Sequence, residues 1–131
     1  MELLAISRVY ETVPVEVDDV HPDYLNCVVE LECGVSAIEL LRYCQGIEGA
    51  LGRERKGEKE PRTIDIDVLL FGEQVIEKPP LGVPHHGVTR AFNIKGLADL
   101  DQELHIPGRG WVGELLAGAD SRGIEEVEGL C

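Results

Sequence analysis

Aromatic side chains are scarce in this chain of 131 residues, with one Trp, three Tyr and two Phe. The sequence also lacks any apolar run near the ~20 residues that a membrane-spanning helix needs, so we expect no such span. It does not open with a basic segment followed by an apolar one, so we expect no signal peptide. The four cysteines form no C-x-x-C pair, which favours reduced thiols in a cytoplasm over disulfides or structural zinc.

Basic residues are few as well. Twelve Lys and Arg stand against 25 Asp and Glu, which gives a net charge of −13. Such a surface repels nucleic acid and anionic membranes, so we expect neither as a partner. The length predicts a single domain over residues 1–131, and 44% hydrophobic residues can supply its core. The Glu- and Gly-rich tail from about residue 120 is expected to fray.

The basic residues that are present cluster in one short segment. Five of the 12 fall between positions 53 and 62, namely Arg53, Arg55, Lys56, Lys59 and Arg62. Arginine predominates among them, and its planar guanidinium matches the oxygens of a phosphate group. On an otherwise acidic chain, this segment is where a polyanion such as ATP is expected to bind.

Two carboxylates follow this segment directly. Residues 63–71 alternate and then run apolar, which predicts a strand. Asp65 and Asp67 then share one face, with Cα atoms roughly 6.7 Å apart, while Ile64, Ile66 and Val68 face a core. Neighbouring carboxylates repel each other unless a cation lies between them. Oxygen ligands without a nearby cysteine suit Mg²⁺ or Ca²⁺ better than Zn²⁺.

Two other interpretations compete with this one. A D-x-D pattern alone is more often part of a solvated, salt-bridged edge strand, and it is the adjoining arginines that favour a phosphate and metal site. A two-metal nuclease also uses paired carboxylates. The acidic composition and the lack of a basic stripe disfavour the nuclease.

The remaining pattern predicts an α+β chain with antiparallel strands. Predicted strands cover residues 3–10, 24–32 and 75–76, and predicted helices cover residues 36–51, 89–100 and 113–119. Ser36 and Glu39 form a capping box at the start of the first helix, and Gly52 is expected to end it. Trp111 is expected to lie against the core.

Several ordered motifs resemble one family. They are Gly52-Arg53-x-Arg55, the segment from Pro61 to Gly72 (P-R-T-x-D-x-D-x-L-x-F-G), Val83-Pro84-His85, Pro22 to Asn26, and Arg90-Ala91-Phe92. Together they resemble 6-hydroxymethyl-7,8-dihydropterin pyrophosphokinases of folate biosynthesis over roughly residues 3 to 118. The resemblance implies a ferredoxin-like α/β sandwich with a four-stranded antiparallel sheet. It also implies transfer of a pyrophosphoryl group from ATP to the pterin hydroxymethyl group, with release of AMP.

The resemblance also implies roles for individual residues. Two Mg²⁺ ions are expected at Asp65 and Asp67, and the catalytic set is Arg53, Arg62, Asp65 and Asp67. The expected ATP contacts are Gln45, Arg55, Val68, His85, His86 and Arg90. Glu48, which precedes the arginine segment as Gln45 does, is also expected to face the nucleotide unless both lie on a solvated helix face. The expected pterin contacts are Thr12, Val13, Val15, Tyr24, Asn26 and Phe92. Asn26 would read the polar edge of the pterin, and Tyr24 and Phe92 would sandwich its ring.

The chain departs from the family pattern at its start. Family members have a strand, a Gly-Ser-Asn-Leu-Gly turn and a helix before the segment that begins here at Met1. Relative to the family we therefore expect an N-terminally truncated sheet with unpaired backbone and an uncovered apolar face. Three explanations are open: the start is misassigned, the chain is a fragment, or another element fills the gap. Under the third, a second copy of the chain is expected to cover that surface.

Other departures fall near the expected substrates. Lys59-Glu60 stands where Trp-Gly is usual, and Pro80 and Gly82 stand where a basic residue and a hydroxyl residue are usual. These changes predict a raised KM more than abolished chemistry. Gly96 replaces a frequent Pro, which we expect to matter only for structure. The alternative function is a catalytically incomplete ferredoxin-like fragment that acts as a ligand-binding or oligomerisation module.

Overall fold

The structure, a computed structural model, describes residues 1–12, 24–53 and 64–128, with Gly52 and Arg53 described by backbone only. The predictions made for Val13, Val15, Arg55 and Arg62 therefore lie outside the described residues. The chain forms two compact units, one of Met1–Glu32 with Gly87–Cys131 and the other of Cys33–His86. The single domain stays a prediction.

The elements confirm the α+β class. In chain order they are β1 (Glu2–Ile6), β2 (Val9–Thr12), β3 (Tyr24–Asn26), β4 (Val29–Glu32), α1 (Ala37–Glu48), a π-helical turn (Gly49–Arg53), β5 (Ile76–Lys78), β6 (Leu81–Val83), α2 (Ala91–Leu100), β7 (His105–Ile106), β8 (Gly110–Trp111), α3 (Val112–Ala117) and β9 (Ile124–Val127). Every strand pair in the described part of the chain is antiparallel.

The two long strands predicted in the first unit are each broken in the middle. β1 pairs with β4, and β2 pairs with β3 on one edge and β9 on the other. The break lies at Ser7, which is 2% exposed. Its N–H donates to the Val28 carbonyl at 2.8 Å, and the Val28 N–H donates to its Oγ at 2.8 Å. The hydroxyl thus replaces a backbone acceptor, and the regular ladder stops there.

The expected four-stranded sheet is not formed by the described residues. Their sheets have two or three strands: β1–β4, β3–β2–β9, β5–β6 and β7–β8. The predicted strand over residues 63–71 is also wrong over its described part, 64–71. A strand needs a ladder partner, and here the Ile66 N–H donates to a side chain instead, that of Glu48.

Apolar side chains of the β1–β4 ribbon face solvent. Leu3, Leu4 and Ile6 of β1 are about half exposed, as is Val29 of β4. Leu31 of β4 is also exposed. We call these five exposed apolar residues the ribbon face.

The core of the first unit lies between β2 and α2. Val9 and Tyr10 are buried on β2, and Ile94 and Leu97 are buried on α2. Gly96 permits the close approach of α2 to the strands, because a Cβ there would overlap Cγ2 of Val28. This agrees with the expectation that Gly96 matters for structure.

The C-terminal tail is not frayed where it is described. Ile124–Val127 forms β9, which pairs with β2 from Thr12↔Ile124 to Val9↔Val127. The open edge of β2 supplies hydrogen-bond partners that composition alone does not reveal. Arg8 adds an ion pair, with its Nε 3.1 Å from Oε1 of Glu126.

The predicted helices are present with shifted ends. α2 and α3 fall close to their predicted ranges, and the Pro107–Arg109 turn joins β7 to β8. Trp111 was expected in the core, but it is 52% exposed and lies 4.8 Å from the His105 ring, centroid to centroid. Ile106 and Val112 fill the neighbouring core positions instead. No helix in the described ranges has the length and apolar character required to cross a membrane.

In the second unit, α1 begins as predicted. The Ser36 Oγ accepts a hydrogen bond from the Glu39 N–H at 3.3 Å and lies 3.1 Å from Glu39 Oε1. Gly52 does not end the helix, because the chain continues through the π-helical turn to Arg53. The buried stripe of α1 is Ala37, Leu40, Cys44 and Glu48, spaced at three to four residues.

Candidate active site

The two aspartates are exposed side by side. Asp65 and Asp67 are exposed, whereas Ile64 and Ile66 are half-buried and Val68 is buried in a cluster with Leu40, Cys44 and Val83. The exposure alternates with a period of two, as the sequence predicts, although no ladder forms. Burial of the aliphatic residues therefore turns both carboxylates to the outer side of the segment.

His85 lies beside Asp67. The backbone N–H of His85 donates to the Leu69 carbonyl at 2.8 Å, and the ring Nε2 of His85 is 3.6 Å from Oδ1 of Asp67. The His86 ring stacks on the His85 ring, with centroids 4.3 Å apart. The structure thus brings together an imidazole and a carboxylate that stand 18 positions apart in the sequence. The sequence motifs predict a role for each residue but not their contact.

Glu48 is directed inward. It is the last residue of α1 and is 3% exposed. Its Oε2 accepts a hydrogen bond from the Ile66 N–H at 2.9 Å. The sequence predicted that Glu48 faces the nucleotide; here its side chain is buried and bonded to the Ile66 N–H, and a contact with ATP stays a prediction. Three and four residues after the buried Cys44 stand Ile47 and Glu48, and Ile47 is the exposed one, at 47%.

The donor set of the aspartates fits Mg²⁺. Among the described residues, no three His, Cys, Asp or Glu side chains gather as a metal-holding group. A site built wholly from these side chains is therefore absent there. Mg²⁺ commonly takes one or two carboxylates and completes its shell with water and substrate phosphates. Asp65 and Asp67 supply that number of carboxylates on an exposed surface.

The other residues assigned to ATP are distributed as follows. Gln45 is exposed on α1, and His86 is exposed after β6. Val68 is buried. Arg53 ends the π-helical turn. Arg90 belongs to the first unit, where it is exposed and stands just before α2.

The residues assigned to the pterin that are described all lie in the first unit. The Asn26 Nδ2 donates to Thr12 Oγ1 at 3.0 Å. Tyr24 stands opposite Thr12 in the β2–β3 register and is 58% exposed. Cross-strand partners share a face, so these three side chains form one polar and aromatic surface. Phe92 is half-buried in the first turn of α2.

Comparison with known proteins decides the family. Residues 1–102 match the family of 7,8-dihydro-6-hydroxymethylpterin-pyrophosphokinases. The chain belongs to this family. The predicted resemblance is therefore confirmed, together with the predicted class of enzyme, a pyrophosphoryl transferase of folate synthesis.

Three relatives illustrate the extent of the match. The 2-amino-4-hydroxy-6-hydroxymethyldihydropteridine pyrophosphokinase of Pseudomonas aeruginosa is 41% identical over 128 residues, which cover 97% of this chain and 78% of the relative. The enzyme of the same name from Bacillus subtilis is 40% identical over 100 residues, covering 76% of this chain and 59% of the relative. The folic acid synthesis protein fol1 of Schizosaccharomyces pombe is 39% identical over 108 residues, covering 82% of this chain. This chain spans only 15% of fol1, which is a much longer protein.

Proposed function

We propose that this chain transfers the pyrophosphoryl group of ATP to the hydroxymethyl group of 6-hydroxymethyl-7,8-dihydropterin. In this reaction the acceptor oxygen forms a bond to the β-phosphorus. The bond from that phosphorus to the oxygen bridging to the α-phosphorus breaks, and AMP leaves. The observation that carries the proposal is the exposed pair Asp65 and Asp67, held outward by a buried Val68, in a chain that belongs to the pyrophosphokinase family.

Asp65 and Asp67 are proposed to hold two Mg²⁺ ions. When bound, Mg²⁺ would neutralise the charge that builds up on the phosphate oxygens during the transfer. The task of the two carboxylates is to present oxygen donors at a fixed spacing. His85 lies next to Asp67 and is proposed to help orient that carboxylate and to contact a phosphate of ATP.

The remaining ATP contacts are proposed from the motifs. Arg53, Arg55 and Arg62 neutralise the phosphates, and Gln45, His86, Arg90 and the backbone of Val68 contact the nucleotide. A transfer of this kind depends mainly on positioning and on charge neutralisation. A net charge of −13 makes a local cationic segment necessary for binding a polyanion.

The acceptor is proposed to bind on the first unit. The bond from Asn26 to Thr12 holds the Asn26 amide in one orientation, which suits recognition of the hydrogen-bonding edge of a flat heterocycle. Tyr24 and Phe92 supply aromatic surface for the ring. Val13 and Val15 complete the proposed set.

The decisive experiment is an assay of AMP formation from Mg²⁺, ATP and the hydroxymethyl-dihydropterin. Asp67→Ala is expected to lower kcat more than about a hundredfold, because a charge-stabilising group is lost. Glu73→Ala is the matched control, since it removes an exposed carboxylate from the turn after the D-x-D segment. A well-folded parent that forms no AMP would overturn the proposal.

A second candidate function rests on the exposed ribbon face. The chain would then act as a ligand-binding or oligomerisation module. We propose that, under either function, a second copy covers the ribbon face. Light scattering that gives a strict monomer at high concentration argues against this self-association. We also propose a cytoplasmic location, in which the cysteines would stay reduced.

A further inference from the structure

We propose that Glu48 is a positioning residue that holds the Asp65-Ile66-Asp67 backbone in the geometry needed to bind divalent cations. The proposal rests on the assignment of Asp65 and Asp67 as metal ligands under the proposed function. Glu48 acts through the peptide N–H of Ile66, which lies between the two aspartates.

The burial of Glu48 requires a specific reason. Among the charged side chains that the structure describes, Glu48 is the one found in the core, at 3% exposure. It continues the stripe of Ala37, Leu40 and Cys44, where an aliphatic residue is the ordinary choice. Taking a carboxylate out of water is costly unless hydrogen bonds compensate for the lost hydration. The 2.9 Å bond from the Ile66 N–H is one such compensation.

The position of Ile66 makes this bond significant for the metal site. Ile66 follows Asp65 and precedes Asp67, and its own side chain points toward the cluster around Val68. Residues 64–71 form no strand. The Ile66 N–H therefore has its acceptor in Glu48, at the place where a sheet would offer a neighbouring strand.

The geometry also explains why length matters at position 48. The carboxylate reaches from the last turn of α1 across to the D-x-D segment. Glutamine has the same length and offers the same kind of acceptor without the charge. Aspartate keeps the charge but is one methylene shorter. A positioning role thus predicts that length and acceptor, not charge, decide the effect of a substitution.

The test measures the affinity of the full chain for Mn²⁺ in the absence of nucleotide. The concentration of the free ion is monitored by electron paramagnetic resonance. Glu48→Gln is expected to keep an affinity close to that of the parent. Glu48→Asp and Glu48→Leu are expected to bind Mn²⁺ about 10- to 100-fold more weakly, the usual cost of losing a group that orients a metal ligand. Glu73→Leu and Glu73→Asp are the matched controls on an exposed carboxylate of the same unit.

A second measurement separates positioning from general loss of structure. Amide hydrogen exchange at Ile66 is expected to be slow in the parent and in Glu48→Gln, and faster in Glu48→Asp, while exchange at Leu40 on α1 is unchanged. The Gln and Asp variants decide the question even where Glu48→Leu does not fold. Unchanged Mn²⁺ affinity in Glu48→Asp, or equal losses in the Gln and Asp variants, overturns the proposal.

The outcome is independent of the transfer reaction. A parent that binds Mn²⁺ through Asp67 but forms no AMP contradicts the proposed function and leaves the role of Glu48 standing. A parent whose Mn²⁺ binding is not reduced by Asp67→Ala overturns the role of Glu48, because there is then no such site to position.

Discussion

The hydroxyl of Tyr10 donates a hydrogen bond of 2.6 Å to Oδ2 of Asp99, which joins β2 to α2 in the first unit. The Arg8 N–H donates to the same oxygen at 3.2 Å. Burial and the bond to Asp99 raise the pKa of Tyr10 to about 12, from an ordinary value of 10.0. Ionisation of Tyr10 at alkaline pH should therefore lower the stability of the first unit.

The folded-state pKa of Tyr10 is the raised one, so the stability that depends on the neutral phenol is complete below pH 10 and is lost as the pH rises toward 12. Unfolding free energies measured from pH 9 to 12 should fall for the parent by about 2–3 kcal/mol from this group. Tyr10→Phe should be less stable at pH 8 and should lack this part of the decline. Tyr43→Phe is the control, because Tyr43 is 54% exposed. Parallel curves for the parent and Tyr10→Phe would contradict the prediction.

A side chain at Gly96 of α2 would have little room. A Cβ there would overlap Val28 Cγ2, so Gly96→Ala should destabilise the chain by about 1–2 kcal/mol, the cost of overpacking less the gain in helix propensity. Urea unfolding gives the value. The double variant Gly96→Ala with Val28→Ala should cost less than the sum of the single variants. Strictly additive free energies would show that the side chains at positions 96 and 28 do not contact each other.

The β1–β4 register sets Glu2 opposite Glu32. Like charges directly across a sheet are destabilising, so Glu32→Lys should stabilise the chain by about 0.2–1 kcal/mol at low salt. The gain should shrink with added salt because both side chains are exposed. Glu30→Lys is the matched control, since Glu30 stands opposite Ala5. Equal gains for the two variants would point to net charge and not to this pair.

The cysteines differ in environment. Burial, together with the nearby Glu48 carboxylate, raises the pKa of Cys44, whereas Cys27 is exposed. A thiol reacts as its thiolate, so Cys27 should be alkylated by iodoacetamide at pH 8 well before Cys44. Peptide mass spectrometry over time measures both rates. If Cys44 reacted as fast as Cys27 in the folded chain, this would contradict the burial of Cys44 on α1.

Much of the site was predictable because its motifs are local. The alternation around Asp65 and Asp67 depends only on the side-chain period of extended backbone, and the capping box at Ser36 depends on residues three apart. Glu48 marks the limit of this reasoning. The helical period allowed either Ile47 or Glu48 on the buried stripe, and hydrophobicity alone would have chosen Ile47. The Ile66 N–H that compensates the Glu48 carboxylate lies 18 positions away.

The sequence by itself determined the family, the chemistry of the paired aspartates and the α+β class, because motif residues and side-chain periods are written in consecutive positions. Only the tertiary structure decided that β9 adds to β2, that Trp111 stays exposed while Ile106 is buried, and that His85 reaches Asp67. Each of these depends on contacts between residues that are distant in the sequence. Hydrogen-bond partners and burial are set by those tertiary contacts, and local composition does not encode them.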